Sequence, residues 1–316
     1  MLSFAVIGTG ALGAYFGGRL AAAGNDVHFL FHSEYAAACR SGLTVHSVKG
    51  DFCISPDALH AYDDPSRMPK CDVVLVTLKT TANDILRDIL PLVTKPDGIV
   101  VLIQNGLNVE RHVQSLIASS LPSVLVCGGM AFICAYRVAP AVVNHDDYGA
   151  LTIAAEPSSP NFAHCVTLAE QTCQAFSDSG VEVSFTDQLL LKRWEKLVWN
   201  IPYNGLCSLL NADTGALQAN PDTRALVRDL MTEVVNAAHA GGVGVRDEFI
   251  DRMLSFTDSM RPYLPSMTLD FRAHRPLELE YIYRQPLLTA PALMPKTAFL
   301  YQSLSFLNSQ FATHNS

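Results

Sequence analysis

Long apolar runs, clusters of basic residues and paired cysteines are all missing from this sequence, and each absence removes a class of function. No window reaches the roughly 20 apolar residues that a membrane-spanning helix needs, so no membrane partner is expected. Lysine and arginine number 22 against 30 aspartates and glutamates, and they are spread along the chain. Nucleic acid and anionic lipid are bound by concentrated positive charge, so neither is expected as a partner of a chain with formal net charge −8. The eight cysteines are scattered and form no CxxC pair, a pattern of free thiols that predicts a cytoplasmic location. The apolar N-terminus has no positively charged start and runs straight into Gly8, so it reads as a buried strand and not as a signal peptide. The ten histidines include no HExxH and no Cys–His cluster, and there is no GxSxG elbow. Metal-assisted and covalent catalysis are therefore not expected, and no metal ligands are assigned. His145-Asp146-Asp147 could take a cation but reads better as a solvated loop. Internal repeats and low-complexity linkers are also missing.

What is present is a chain of 316 residues, 49% hydrophobic and 16% charged, which describes a globular protein long enough for two domains. Up to about residue 130 the pattern alternates. Strands are expected at 3–7, 27–31, 72–77, 99–103 and 124–127, with helices at 11–23, 34–40, 81–91 and 107–119. Such alternation implies βαβ units in a doubly wound parallel sheet. A short hairpin is expected around Lys49-Gly50-Asp51, and strand-like pieces at 141–144 and 150–154 are expected as antiparallel additions at the sheet edge. After a helix at about 161–178 and a strand at 181–185, nearly everything reads as helix. The fold class is thus α/β, an N-terminal Rossmann-type sheet over 1–183 followed by an all-helical domain over 184–316. Two such domains are expected to enclose a cleft, a usual place for a small-molecule site.

Gly8-Thr9-Gly10-Ala11-Leu12-Gly13 is a GxGxxG that follows an expected strand and opens an expected helix. Gly8 permits a tight turn, Gly10 lets a pyrophosphate approach the backbone, and Gly13 lets the helix lie close to the sheet. The helix N-terminus then supplies N–H groups and a positive dipole end for phosphates. The end of the second strand distinguishes NAD from NADP, because an acid there accepts from the ribose 2′-hydroxyl. Here it reads His32-Ser33-Glu34. Glu34 stands near the ribose-acid position, or is a first-turn helix acid; His32 and Ser33 can donate to a 2′-phosphate, so both cofactors stay open.

The stretch from Arg193 to Asn204 should be the first helix of the second domain. Lys196, Asn200 and Asn204 at i, i+4 and i+8 form one stripe with steps of roughly 6 Å. Their apolar neighbours Trp194, Leu197, Val198, Trp199 and Ile201 leave little room for a polar face, so the stripe calls for hydrogen-bonding partners that a substrate could supply. Pro202 is expected to kink or loosen this helix.

Taken together, Gly8 to Gly13, Val76-Thr77-Leu78-Lys79, Gln104-Asn105-Gly106, Trp194 to Asn204, Ser266-Met267 with Asp270, and Arg275-Pro276-Leu277-Glu278 resemble the ketopantoate reductase (2-dehydropantoate 2-reductase) family over nearly the whole chain. The resemblance implies a 6-phosphogluconate dehydrogenase-like fold and reduction of a small 2-keto acid, 2-dehydropantoate, with NADP(H), NAD(H) not being excluded. It implies that Lys196 is the general acid and that Glu278 is required beside the substrate or Lys196. Asn200, Asn204 and Ser266 would hold the substrate, while Lys79 and Asn105 would lie along the cofactor with His32, Ser33 and the glycine loop. A homodimer is suggested by the family's behaviour. Lys196 could instead be a surface lysine, Glu278 a first-turn acid, Ser266 a helix N-cap and Asn105 a turn residue.

The chain also departs from the family. His32 stands where the family usually has an arginine, Pro202 precedes the second asparagine, Thr214 occupies a later asparagine position, and residues 287–296 are shortened. Reduction of another 2-keto acid, or a non-catalytic NADP(H)-binding redox sensor, are the alternative functions.

Overall fold

The β-branched and aromatic run Ser3–Ile7 forms strand β1, buried on both faces, and Gly8 ends it by turning at φ +96° into helix α1 (Ala11–Ala22). The computed structural model describes residues 2–157 and 162–314. The chain divides into two units, Met1–Gln104 with Val109–Leu189, and Asn105–Asn108 with Leu190–Ser316.

The first unit continues through β2 (Asp26–Leu30), α2 (Tyr35–Ser41), β3 (Leu43–Ser47), β4 (Phe52–Ile54), β5 (His60–Tyr62) and β6 (Cys71–Val76). A 3₁₀ turn at Thr80–Ile85 leads into α3 (Leu86–Val93), followed by β7 (Thr94–Leu102), α4 (Val109–Ile117), β8 (Leu125–Ala139), β9 (Val142–Ala154), α5 (Phe162–Asp178) and β10 (Val183–Thr186). Its ten strands make one sheet in the order β4-β3-β9-β8-β7-β6-β1-β2-β5, with β10 also beside β9. From β5 to β8 all neighbours are parallel, and β1 lies between β2 and β6. The chain leaves β1 toward β2 on one side and later returns to β6 on the other. The Gly8 turn therefore sits at the topological switch point, where open α/β sheets bind ligands. Phe4, Val6, Tyr15, Phe16, Leu20 and Phe29 form part of this unit's apolar core.

The antiparallel pieces expected at the sheet edge are in fact one strand, β9, and it is interior. β8 flanks it on one side, while β3 and β10 pair with successive parts of its other side. β8 does not stop at 127 but runs on to Ala139, and register shifts at Phe132/Ile133, Cys134/Ala135 and Arg137/Ala139 break the period-2 pattern along the pair. The hairpin around Lys49-Gly50-Asp51 forms as β3 and β4. The expected helix at 161–178 is α5, although residue 161 lies outside the described residues.

The second unit is helical: α6 (Leu189–Leu210), α7 (Thr214–Ala219), α8 (Pro221–Ala240), α9 (Glu248–Ser259), α10 (Ser266–Arg272), a π-helical turn at Glu280–Arg284 running into α11 (Gln285–Thr289), and α12 (Pro295–His314). Its core gathers Leu197, Val198, Ile201, Leu206, Val227, Met231, Ile282 and Leu304. Helix α6 passes unbroken through Pro202, so the proline removes one donor, toward the Val198 carbonyl, without ending the helix. The neighbouring Ile201 carbonyl accepts from the Tyr283 hydroxyl at 3.0 Å. Thr214 is buried, and its hydroxyl accepts from the Tyr263 N–H at 3.0 Å while its own N–H donates to the Tyr263 carbonyl. No helix among the described residues is long and apolar enough to cross a membrane.

Candidate active site

In the first unit the glycine loop is built by close approach. A Cβ on Gly8 would stand 2.9 Å from Leu78 N, and one on Gly13 would stand 2.5 Å from the Gly8 carbonyl oxygen and 2.7 Å from Thr77 Oγ1. Those two positions accept only glycine without a shift of backbone. Gly10 differs, because a Cβ there would meet nothing within 4 Å. It caps α1 without a side-chain hydrogen bond, and no acid stands in the first turn. An open space beside an uncapped, acid-free helix N-terminus fits the pyrophosphate of a dinucleotide. Thr9 ties this loop to the next strand by donating to the Leu30 carbonyl at 3.0 Å.

His32 and Ser33 follow β2 as exposed residues. Glu34 does not join them. It is buried, pairs with Arg137, and accepts from the Ala141 N–H at 2.9 Å. Its carboxylate clamps the β8–β9 turn to the start of α2, where Glu34 holds the N-cap position without a side-chain cap bond. Lys79 is exposed just beyond β6, at the start of the 3₁₀ turn.

In the second unit, α6 carries the polar stripe. Asn200 and Asn204 are 5% and 2% exposed, and the Asn200 Nδ2 atom has no hydrogen-bond partner among the described residues. A buried amide donor in that state is set for a partner outside the chain. Lys196 keeps some accessible surface, yet burial is the largest cause that brings its ammonium down from an ordinary value of 10.5 to about 7. The neighbouring Arg193 guanidinium pushes in the same direction, and the Glu278 carboxylate opposes both. Arg193, three residues before Lys196 and 1% exposed, went unassigned in the sequence; its spacing on the helix was the available signal.

Glu278 is 5% exposed, in the extended segment between α10 and the π-helical turn. The segment is anchored at two points just before Glu278. Arg275 pairs with Asp270 at 2.9 Å, and the Leu277 N–H donates to Asn308 Oδ1 at 2.9 Å. Ser266 is the first residue of α10 and half-buried, with Pro265 and not the serine at the cap position. Asn105 is half-buried and belongs by its packing to the helical unit. The reason is Gly106: at φ +108° it lets the chain pass where a Cβ would come within 2.7 Å of the Tyr281 backbone, and the Leu107 N–H donates to the Tyr281 carbonyl at 2.8 Å. The structure thus places Lys196, Asn200, Asn204, Ser266, Glu278 and Asn105 in one unit, and the glycine loop, His32, Ser33 and Lys79 in the other.

Comparison with known proteins matches these two halves separately. Residues 4–158 match the ketopantoate reductase PanE/ApbA family, and residues 188–307 match the ketopantoate reductase PanE/ApbA C-terminal family. A 2-dehydropantoate 2-reductase from Nostoc sp. is 43% identical over 98% of this chain and 96% of its own length. One from Halobacterium salinarum is 30% identical over 88% of each chain. The crystal structure of 2-dehydropantoate 2-reductase from Geobacter metallireducens superposes with a TM-score of 0.88 at 36% identity, covering 98% of this chain and 99% of the other. A D-mandelate dehydrogenase in a ternary structure with NADH and anilino(oxo)acetate shares the fold, with a TM-score of 0.84 at 19% identity and coverage of 98% of this chain and 99% of that one. With a glycine loop at the switch point, a half-buried lysine on α6, and both halves matched over most of their length, this chain belongs to the ketopantoate reductase PanE/ApbA family of oxidoreductases.

Proposed function

We propose that this protein reduces 2-dehydropantoate to pantoate, with Lys196 as the general acid. The observation that carries the role is the lysine itself: half-buried on a stripe with two buried amides, and brought to about 7, it is poised to hold and release a proton at neutral pH. A reduced nicotinamide, when bound, supplies the hydride to the carbonyl carbon. The Lys196 ammonium stabilises the negative charge that develops on the carbonyl oxygen, gives that oxygen its proton and is reprotonated from solvent. Glu278 keeps the ammonium form populated, and Asn200, Asn204 and Ser266 hold the 2-keto acid by hydrogen bonds. Gly8 to Gly13 receive the cofactor phosphates, and Lys79 and Asn105 lie along the cofactor.

We further propose NADP(H) as the preferred cofactor. Support comes from Glu34, whose carboxylate is engaged by Arg137 and Ala141, which leaves the exposed His32 and Ser33 as donors toward a 2′-phosphate. A cytoplasmic location and a homodimer complete the reading: all eight cysteines are free thiols, and a structural relative from Staphylococcus aureus is described as dimeric.

The test is oxidation of NADPH and of NADH with 2-dehydropantoate by the wild type and by Lys196→Ala, together with cofactor affinity. Fast turnover with NADPH, lost in the variant while cofactor binding persists, is the expected result. Tight cofactor binding without wild-type turnover would overturn the substrate, and a variant as active as the wild type would overturn the acid.

A further inference from the structure

The first unit carries a cluster that none of the site chemistry uses. On β2, Asp26 and His28 are two residues apart and so share a face of the strand. In the parallel register His28 stands directly opposite His60 of β5, a three-residue strand at the end of the sheet. The two imidazoles stack with centroids 4.9 Å apart. Asp26 Oδ1 lies 3.0 Å from His28 Nε2 and 3.7 Å from His60 Nδ1, and one donor atom from each of the three residues falls within 4.8 Å of the others. Tetrahedral ligands at zinc–nitrogen distances stand about 3.3 Å from each other, between the two measured separations. His28 is 8% exposed and fixed; His60 and Asp26 are exposed and can close the remaining gap by side-chain rotation.

We propose that Asp26, His28 and His60 form a binding site for a divalent transition-metal ion of the zinc class, which staples the edge strand β5 to β2. Two imidazoles and one carboxylate suit borderline cations and leave positions for water. Tyr62 completes the arrangement, because its hydroxyl oxygen lies 3.1 Å from His28 Nδ1. Without metal, His28 Nε2–H donates to Asp26 and the Tyr62 hydroxyl donates to Nδ1. On binding, the neutral ring changes tautomer through solvent: Nε2 gives up its proton, Nδ1 takes one up, the metal takes the Nε2 lone pair, and Nδ1–H donates to the Tyr62 oxygen, whose hydroxyl turns away and keeps its own proton. A ligand histidine usually has its second ring nitrogen held in this way. The site is separate from the glycine loop: Asp26 is in register with Ser3 at the start of β1, about 13 Å of strand before Ile7 and the Gly8 turn. The pattern was present in the sequence as Asp26-Val27-His28 and His60-Ala61-Tyr62, but only the strand pairing joins them.

The test is titration of the whole chain, stripped with a chelator, with cobalt(II) and then zinc(II). The wild type should bind one ion at this site, with a cobalt ligand-field band and a thermal midpoint that rises with metal concentration. His60→Ala and Asp26→Asn, both at exposed side chains, should weaken binding about tenfold or more and abolish the midpoint rise. Their midpoints in chelator and their reductase activity should match the wild type. Exposed Cys39 and Cys53 are rival ligands, so Cys39→Ser/Cys53→Ser should leave the cobalt band in place. A band lost with the thiols and kept in His60→Ala overturns the proposal, as does a wild type that binds no ion at millimolar metal.

Discussion

The two units build their polar surfaces from different materials. The first uses backbone: glycines that bring chain close to chain and a helix start left without a cap. The second uses side chains: a half-buried lysine with two buried amides and a buried carboxylate on and around one helix. A backbone site is insensitive to charge but intolerant of a single added carbon. A side-chain site tolerates small changes of shape, yet its chemistry depends on the charges around it.

The contrast is tested most severely at Lys196. Lys196→Arg keeps the positive charge but gives up its proton with great difficulty, so kcat should fall by about 10²–10⁴-fold while cofactor affinity, for which the glycine loop is the main proposed determinant, should hold. Single-turnover and binding measurements separate the two. Comparable losses of cofactor affinity and of kcat would break the division of labour.

Next in size are the glycines. Gly10→Ala should fold with a wild-type thermal midpoint, because its Cβ meets nothing within 4 Å, yet lose about tenfold or more in cofactor affinity as the methyl fills the cradle. Gly13→Ala should lower the midpoint as well, by about 1–3 kcal/mol of overpacking against the Gly8 carbonyl and Thr77. Equal midpoints for the two variants would show that the loop yields more readily than its distances imply.

Glu34→Ala should cost about 1–3 kcal/mol of stability, read as a lower thermal midpoint, by leaving the Ala141 N–H and Arg137 without their carboxylate. The ratio of NADPH to NADH affinities should stay within about twofold, since this acid does not face the ribose. A large swing toward NADP would restore Glu34 to the cofactor site.

The finest effect is a change in the pH profile. With Lys196 at about 7 and active as the ammonium, kcat/KM should be level on the acid side and fall about tenfold per pH unit above that value. Glu278 raises this lysine, so Glu278→Gln should move the alkaline limb to lower pH. An upward shift would assign the carboxylate a different partner.

Much of this was legible in the residues. The GxGxxG between a strand and a helix announced the first site because its requirements are local, a turn and close packing within six residues. The Lys196–Asn200–Asn204 stripe was legible because helix period alone puts those residues on one face. Glu34 was not, since its partners Arg137 and Ala141 are 103 and 107 residues away and arrive on a hairpin whose bulges hide its strand pattern. The placement of Asn105 was not legible for a related reason: it follows β7 of the sheet, yet packs with the helical unit because Gly106 can lie against Tyr281.

The sequence by itself determined the order of strands and helices in outline, the glycine turn and the lysine–asparagine stripe, because each follows from backbone preference and side-chain period over a few residues. Only the tertiary structure decided that Lys196 sits at about 7 and not at its ordinary 10.5, and that the Glu34 carboxylate is engaged by Arg137 and Ala141. A side chain's charge state and its availability depend on how much water is excluded around it and on which distant groups the fold brings alongside, and neither quantity is carried by the residue or its neighbours in the chain.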